Sequence, residues 1–307
     1  MLEIMLKKPY FDGMNRRLNR ISLVLVILLG MTVRNYSQYL SMGFKGGAVM
    51  YDGDLNTNLF ITNLTNTRLA YSTFVKFNFK DYFGFQFNFM RGKLYGDDSK
   101  SLLDWQITRN LNFHSTITEA SFLLEIHLSQ FLKKSYRVRK FHPYSFVGLG
   151  LFHFNPKTYY QGEEIELQAL GTEGQGIEGY PDKYKKHAYS IPFGLGFKYP
   201  LNKHVFLGLE LSTRWTLTDY IDDISQYYLD YDFLKDHNGE LAAILSNRSG
   251  ELEGRTRKDL TGINRGNNSN DSFYTAMVNL SYRFVQAPYQ KQQKRRLKRN
   301  RIACPKF

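Results

Sequence analysis

The residues of this chain that could do chemistry fall into three groups. Asp219, Asp222 and Asp223 set three carboxylates close together, a donor set suited to Ca²⁺ or to bridging lipopolysaccharide. Their spacing matches no EF-hand loop, and acidic loop tips are common, so they read as a loop feature and not as a metal site. Gly171–Gly176 (GTEGQG) has the glycine density of a phosphate loop. It lacks the GK[ST] that should follow and the strand-to-helix context, and it reads as a plug or surface loop. The seven histidines (His114, His127, His142, His153, His187, His204, His237) are scattered, with no Ser/His/Asp arrangement in their spacing. Asp52-Gly53-Asp54 is a turn signal. A single cysteine, Cys304, excludes a disulfide framework and a cysteine-based zinc site. The expectation is a non-catalytic protein with no cofactor and no metal centre.

The third group is set into apolar segments. Lys76, Glu119, Glu125, Lys198, Glu210, Arg214 and Arg283 occupy the polar positions of stretches that alternate polar and apolar residues. Inside a narrow barrel such residues would form ion pairs; in an open lumen they would line a path for a small solute.

The elements that must position them read as strands. Phe83, Phe85, Phe87 and Phe89 take every second position. The same period runs through 69–79, 119–128, 187–199, 205–217 and 274–284, and two glycine-rich segments near 39–51 and 143–154 complete a set of eight. Most are longer than ordinary soluble strands of about five or six residues and suit tilted membrane strands of about 9–11. The fold class expected is all-β: a transmembrane eight-stranded antiparallel β-barrel with long extracellular loops. A soluble sandwich or lipocalin-like barrel is the rival architecture. Connections alternate long (52–68, 92–109, 155–186, 218–272) and short (80–82, 129–142, 200–203), as in barrels with short periplasmic turns and both ends periplasmic.

Charge is unevenly placed. The formal net charge is +13, which would ordinarily suggest a nucleic-acid binder. Residues 1–37 carry six Lys/Arg and two acids, 285–307 carry eight Lys/Arg and no acid, and the 38–284 body is nearly balanced. No nucleic-acid partner is therefore expected. Residues 1–37 read as a signal peptide: Arg16, Arg17 and Arg20 precede the apolar run Ile21–Met31, and the start could be Met14. Residues 38–284 would be the barrel and 285–307 a basic, disordered periplasmic tail. Lys133, Lys134, Arg137, Arg139 and Lys140 on one connection, with Arg295, Arg296, Lys298 and Arg299 in the tail, would make that side basic and able to dock an acidic periplasmic partner. The four long connections are together acidic. The last strand ends Leu280-Ser281-Tyr282-Arg283-Phe284, similar to the signal read by barrel-assembly machinery.

Several segments look familiar as an ordered set: GGAVMYDGDLN at 46–56, GKLYGDDSKS at 92–101, FHSTITEASFLLE at 113–125, PYSFVGLGLFHFNPKTYYQG at 143–162, LQALGTEGQG at 167–176, SIPFGLGFKY at 190–199 and TLTDYIDDIS at 216–225. This set resembles the Bacteroidota outer-membrane barrel family that includes PorG, a type IX secretion component. The resemblance implies an outer-membrane protein that meets a periplasmic ring of PorK and PorN type. The alternative is a small outer-membrane channel or surface-binding barrel unrelated to secretion.

Overall fold

Every alternating segment forms a strand in the computed structural model, which describes residues 38–55, 65–79, 82–128, 141–252, 256–267 and 269–284. Residues 1–37, the basic set Lys133, Lys134, Arg137, Arg139 and Lys140, and residues 285–307 with Arg295, Arg296, Lys298 and Arg299 lie outside the described residues. The barrel strands are β1 (Gln38–Asp52), β2 (Arg68–Phe79), β3 (Phe83–Asp97), β4 (Asn112–His127), β5 (His142–His153), β8 (His187–Pro200), β9 (Val205–Thr216) and β10 (Ser272–Phe284). The two intervening strands, β6 (Pro156–Tyr160) and β7 (Glu163–Glu166), form a hairpin beyond the barrel wall.

Pairing runs β1-β2-β3-β4-β5-β8-β9-β10 and returns to β1. The last and first strands pair antiparallel from Leu40 opposite Phe284 to Asp52 opposite Ser272. The wall is thus a closed eight-stranded antiparallel barrel, and closure leaves its long strands no free edge. A soluble two-sheet sandwich is excluded by this closure.

The two faces follow from period two. Along β9, Phe206, Gly208, Glu210, Ser212 and Arg214 point into the barrel, while Leu207, Leu209, Leu211 and Trp215 point out. Outward Leu149 is 72% exposed, Leu195 58% and Phe87 54%. So continuous an apolar exterior far exceeds the patch of a few hundred Å² that a soluble monomer tolerates, and it matches a lipid-facing wall. Exposed Tyr82, Phe83, Tyr199 and Tyr282 mark its rim at the short-turn end, and Tyr189, Trp215 and Tyr274 mark the other rim. No described helix is long and apolar enough to cross a membrane.

At the long-connection end the chain builds a cap. It contains α1 (Asp104–Arg109), the β6–β7 hairpin, α2 (Leu167–Leu170), α3 (Tyr231–Asn238) and α4 (Glu240–Ser246). Leu55, Leu111, Leu167, Ile221, Ile224 and Leu245 from these connections pack on Val49, Met90, Ile117, Phe152, Phe273 and Met277 of the barrel. Two expectations are corrected here. The connection expected from residue 92 begins only at Asp98, because β3 runs through Gly92 and Gly96 to Asp97. Gly96 reads as a turn residue in sequence, yet it faces the Phe113 ring, which an added Cβ would meet at 2.7 Å. The long connections, expected as loops, are a folded cap.

Candidate functional site

The seven polar residues expected in the lumen do point inward. Five of them (Lys76, Glu119, Glu125, Glu210 and Arg214) are buried, and Lys198 and Arg283 are partly buried. Glu125 of β4 takes Lys76 of β2, Lys198 of β8 and the His127 ring at 2.7 Å. Lys45 of β1 reaches Glu210 of β9 with Nζ 2.6 Å and 2.8 Å from the two carboxylate oxygens. Tyr144 donates to the same carboxylate at 3.0 Å. One layer further on, Arg214 lies 3.5 Å from Glu119, donates to Thr275 Oγ1 at 2.5 Å and contacts Ser212. Buried charges are expensive unless paired and hydrogen-bonded, and here the opposite signs are stacked across the lumen. Lys45 was not foreseen. The signal was present: it stands two residues from both Gly43 and Gly47 on the small-residue face of β1.

Small residues make room for this packing. At Gly196 an added Cβ would meet the Tyr144 ring at 2.3 Å, and at Gly43 it would meet the Phe74 ring at 2.7 Å. Those rings lie over the neighbouring strand because it carries no side chain there.

At the level of Arg214 and Glu119 the lumen turns mainly apolar: Phe273 stands opposite Arg214, Met90 and Phe152 flank Glu119, and Phe113 and Phe154 lie further on. Ion pairs thus fill the half of the lumen toward the short turns. The other half is an apolar core, because the cap covers it and excludes water.

The cap holds a second cluster, and it unites the motif segments. Thr172 of GTEGQG donates to Asp223 of TDYIDDIS at 2.5 Å. Glu173 accepts from the backbone N–H groups of Ser225 (2.9 Å) and Gln226 (3.1 Å) and from Arg265 at 3.0 Å. Gly171, Gly174 and Gly176 all have positive φ, which lets the loop fold tightly enough to place Glu173 there. Arg109 forms a two-pronged pair with Asp98, at 2.7 Å and 2.9 Å, and donates to the Asp54 carbonyl at 2.8 Å. The Asp54 carboxylate in turn takes the Asn267 N–H at 3.1 Å. Tyr51 Oη lies 2.6 Å from Asp222 Oδ2 and 2.9 Å from Asp271 Oδ1. A phenol has one proton, so two such short contacts require a proton on one carboxyl. Burial raises both carboxyls well above their ordinary value, and the neighbouring Asp54 and Asp222 charges reinforce the shift in Asp222 and Asp271 respectively.

Asp219, Asp222 and Asp223 are therefore not a loop tip. Asp222 and Asp223 are buried structural residues that turn to different partners: Asp222 to Tyr51, Asp223 to Thr172 and to Tyr184 at 2.6 Å. Among the described residues no group of three or more His, Cys, Asp or Glu is arranged to hold a metal ion. Gly171–Gln175 is buried, and the segment is a plug, not a phosphate loop. Arg109, Arg265, Glu173 and Asp271 escaped sequence reading because nothing local marks a loop charge as one half of a distant pair.

Residues 19–241 match the family model described as "Domain of unknown function (DUF6089)", and the chain belongs to that family. No curated protein matches it. Among solved structures it is similar to Neisserial surface protein A (11% identity, 80% of this chain, 97% of that one, TM-score 0.39). OprG from Pseudomonas aeruginosa (11%, 82% and 99%, TM-score 0.35) and Ail of Yersinia pestis (9%, 80% and 97%, TM-score 0.33) are also similar. The fold of this chain is a closed eight-stranded antiparallel β-barrel with an apolar exterior.

Proposed function

We propose that this member of the DUF6089 family is a non-catalytic outer-membrane anchor, a PorG-like component of type IX protein secretion that contacts a periplasmic ring. The observation that carries the anchor reading is the lumen. Ion pairs around Glu125, Glu210 and Glu119 fill one half, and the Phe113–Phe152–Phe273 core and the cap fill the other. A barrel so filled offers its surfaces, not its interior. Lipid and lipopolysaccharide would meet the apolar exterior, and barrel-assembly machinery would read the terminal strand. With the short turns and both strand termini at the periplasmic end, the basic connection and tail would face ring proteins of PorK and PorN type. The secretion assignment rests on the ordered motif segments, which the cap brings together.

Crosslinked cells followed by pull-down of this chain test it. Recovery of secretion-ring proteins is the expected result. A steady ion conductance of the reconstituted barrel, abolished by added bulk in the lumen, would instead favour the small-channel alternative.

A further inference from the structure

The barrel interior ends, at the short-turn side, in a polar cavity of about 150 Å³ lined by Tyr39, Lys76, His127, His142, Lys198 and Arg283 among others. Among the described residues its charges do not balance. Glu125 is the one carboxylate among the paired groups at its floor, and it is shared by Lys76 and Lys198. Arg283 adds a third cation and has no ion pair among the described residues. The Arg283 guanidinium is held between two rings, 4.1 Å from the centre of Tyr39 and 4.1 Å from that of Phe206. Stacking satisfies its faces and leaves its edge to hydrogen-bond. Its Nε is nonetheless buried without a hydrogen-bond partner. A buried donor left empty is costly, and a guanidinium edge fits the geometry of a two-oxygen acceptor.

We propose that this vestibule binds an oxyanion, a phosphate or carboxylate group, against the Arg283 edge with Lys198 and Lys76 behind it. The apolar core and cap close the far side, so the anion enters and leaves by the short-turn end. A volume of about 150 Å³ admits a group of this size. This inference is independent of the secretion reading, since it needs only the described barrel.

The full chain in detergent micelles, with ¹⁵N-labelled arginine, provides the test. Inorganic phosphate is titrated in one arm and a short Asp/Glu peptide in the other, and the Arg283 Nε–H resonance is followed. The Arg214 Nε–H, sealed deeper in the lumen, serves as the internal control. A saturable shift at Arg283 with Arg214 still is expected. Arg283→Gln should abolish the response, and Lys198→Gln should weaken binding about tenfold, the equivalent of one charge-assisted hydrogen bond. Each variant is checked for heat-modifiable gel mobility, which reports an intact barrel. Equal saturation by phosphate marks a free-anion site, and preference for the peptide marks a partner's acidic side chain. Absence of a shift in both arms, or equal movement of Arg214 and Arg283, overturns the proposal.

Discussion

Lys45 and Glu210 meet across the barrel interior, with Nζ 2.6 Å from Oε1 and both side chains almost fully buried. They belong to β1 and β9, which are not neighbours in the wall, since β10 lies between them. The pair therefore ties the seam between first and last strands from inside. Lys45→Met leaves the Glu210 carboxylate buried beside Tyr144 alone and should destabilise the barrel by about 3–5 kcal/mol. Lys45→Met combined with Glu210→Leu should recover most of that loss. Urea unfolding in lipid vesicles measures both, and a double variant no better than the single one would contradict the pairing.

Arg265 holds Glu173 and the Asp223 carbonyl together. Arg265→Met should release the plug segment 171–176 from 219–226 while the barrel still assembles. Limited proteolysis should then cut within these segments, with unchanged heat-modifiable mobility of the barrel. An uncut cap would show that its apolar contacts suffice alone.

The cap should loosen as pH rises. Burial pushes Asp219 up to about 7 and Asp54 and Asp223 up to about 6, from the usual 3.8. In an opened cap these groups ionise near 3.8; in the closed cap they keep protons to higher pH. The closed state therefore binds more protons between those limits. Its stability is fully present below about pH 4 and declines as pH rises through 6 and 7. Hydrogen exchange of the 219–226 amides, corrected for intrinsic rates, should show protection falling over that window. Asp219→Asn with Asp223→Asn should flatten the profile.

Gly196→Ala would set a Cβ 2.3 Å from the Tyr144 ring and should cost about 1–3 kcal/mol through overpacking. Gly46→Ala, whose added Cβ would meet only the Phe44 ring at an ordinary 3.5 Å, should leave barrel unfolding unchanged. Equal effects of the two would mean that the Tyr144 position is not set by the missing side chain.

Deleting Gln290–Phe307, or reversing Lys133, Lys134, Arg137, Arg139 and Lys140, should weaken recovery of a periplasmic complex while the barrel still forms. Co-purification unchanged in both variants would remove these side chains from docking.

The strands were legible because lipid on one side and a narrow lumen on the other enforce period two. Phe83 through Phe89 and Leu207 through Trp215 show it without help. The inward charges followed from the same period, since a polar residue between two outward apolar ones has only the lumen to enter. What stayed hidden was the pairing. Asp222 and Asp271 share Tyr51 across hundreds of positions of chain or loop, and no local spacing encodes such a meeting. The cap was misread for a related reason. Glycine and aspartate in TEGQG and TDYIDD are also what exposed turns are made of, and only the cap's enclosure makes them buried.

The fasteners described above also set an order of events. Lys45 waits for Glu210, 165 positions later, and Tyr51 waits for Asp271, 220 positions later. Contacts so distant along the chain form late and slowly, because the loop they close must first be brought together. A chain halted before β10 has neither its closing strand nor Asp271, which shares Tyr51 with Asp222 in the cap. Completion is thus cooperative at the seam: the last strand zips the wall and fastens the lid in one step, and unfinished copies remain open and distinguishable from finished ones.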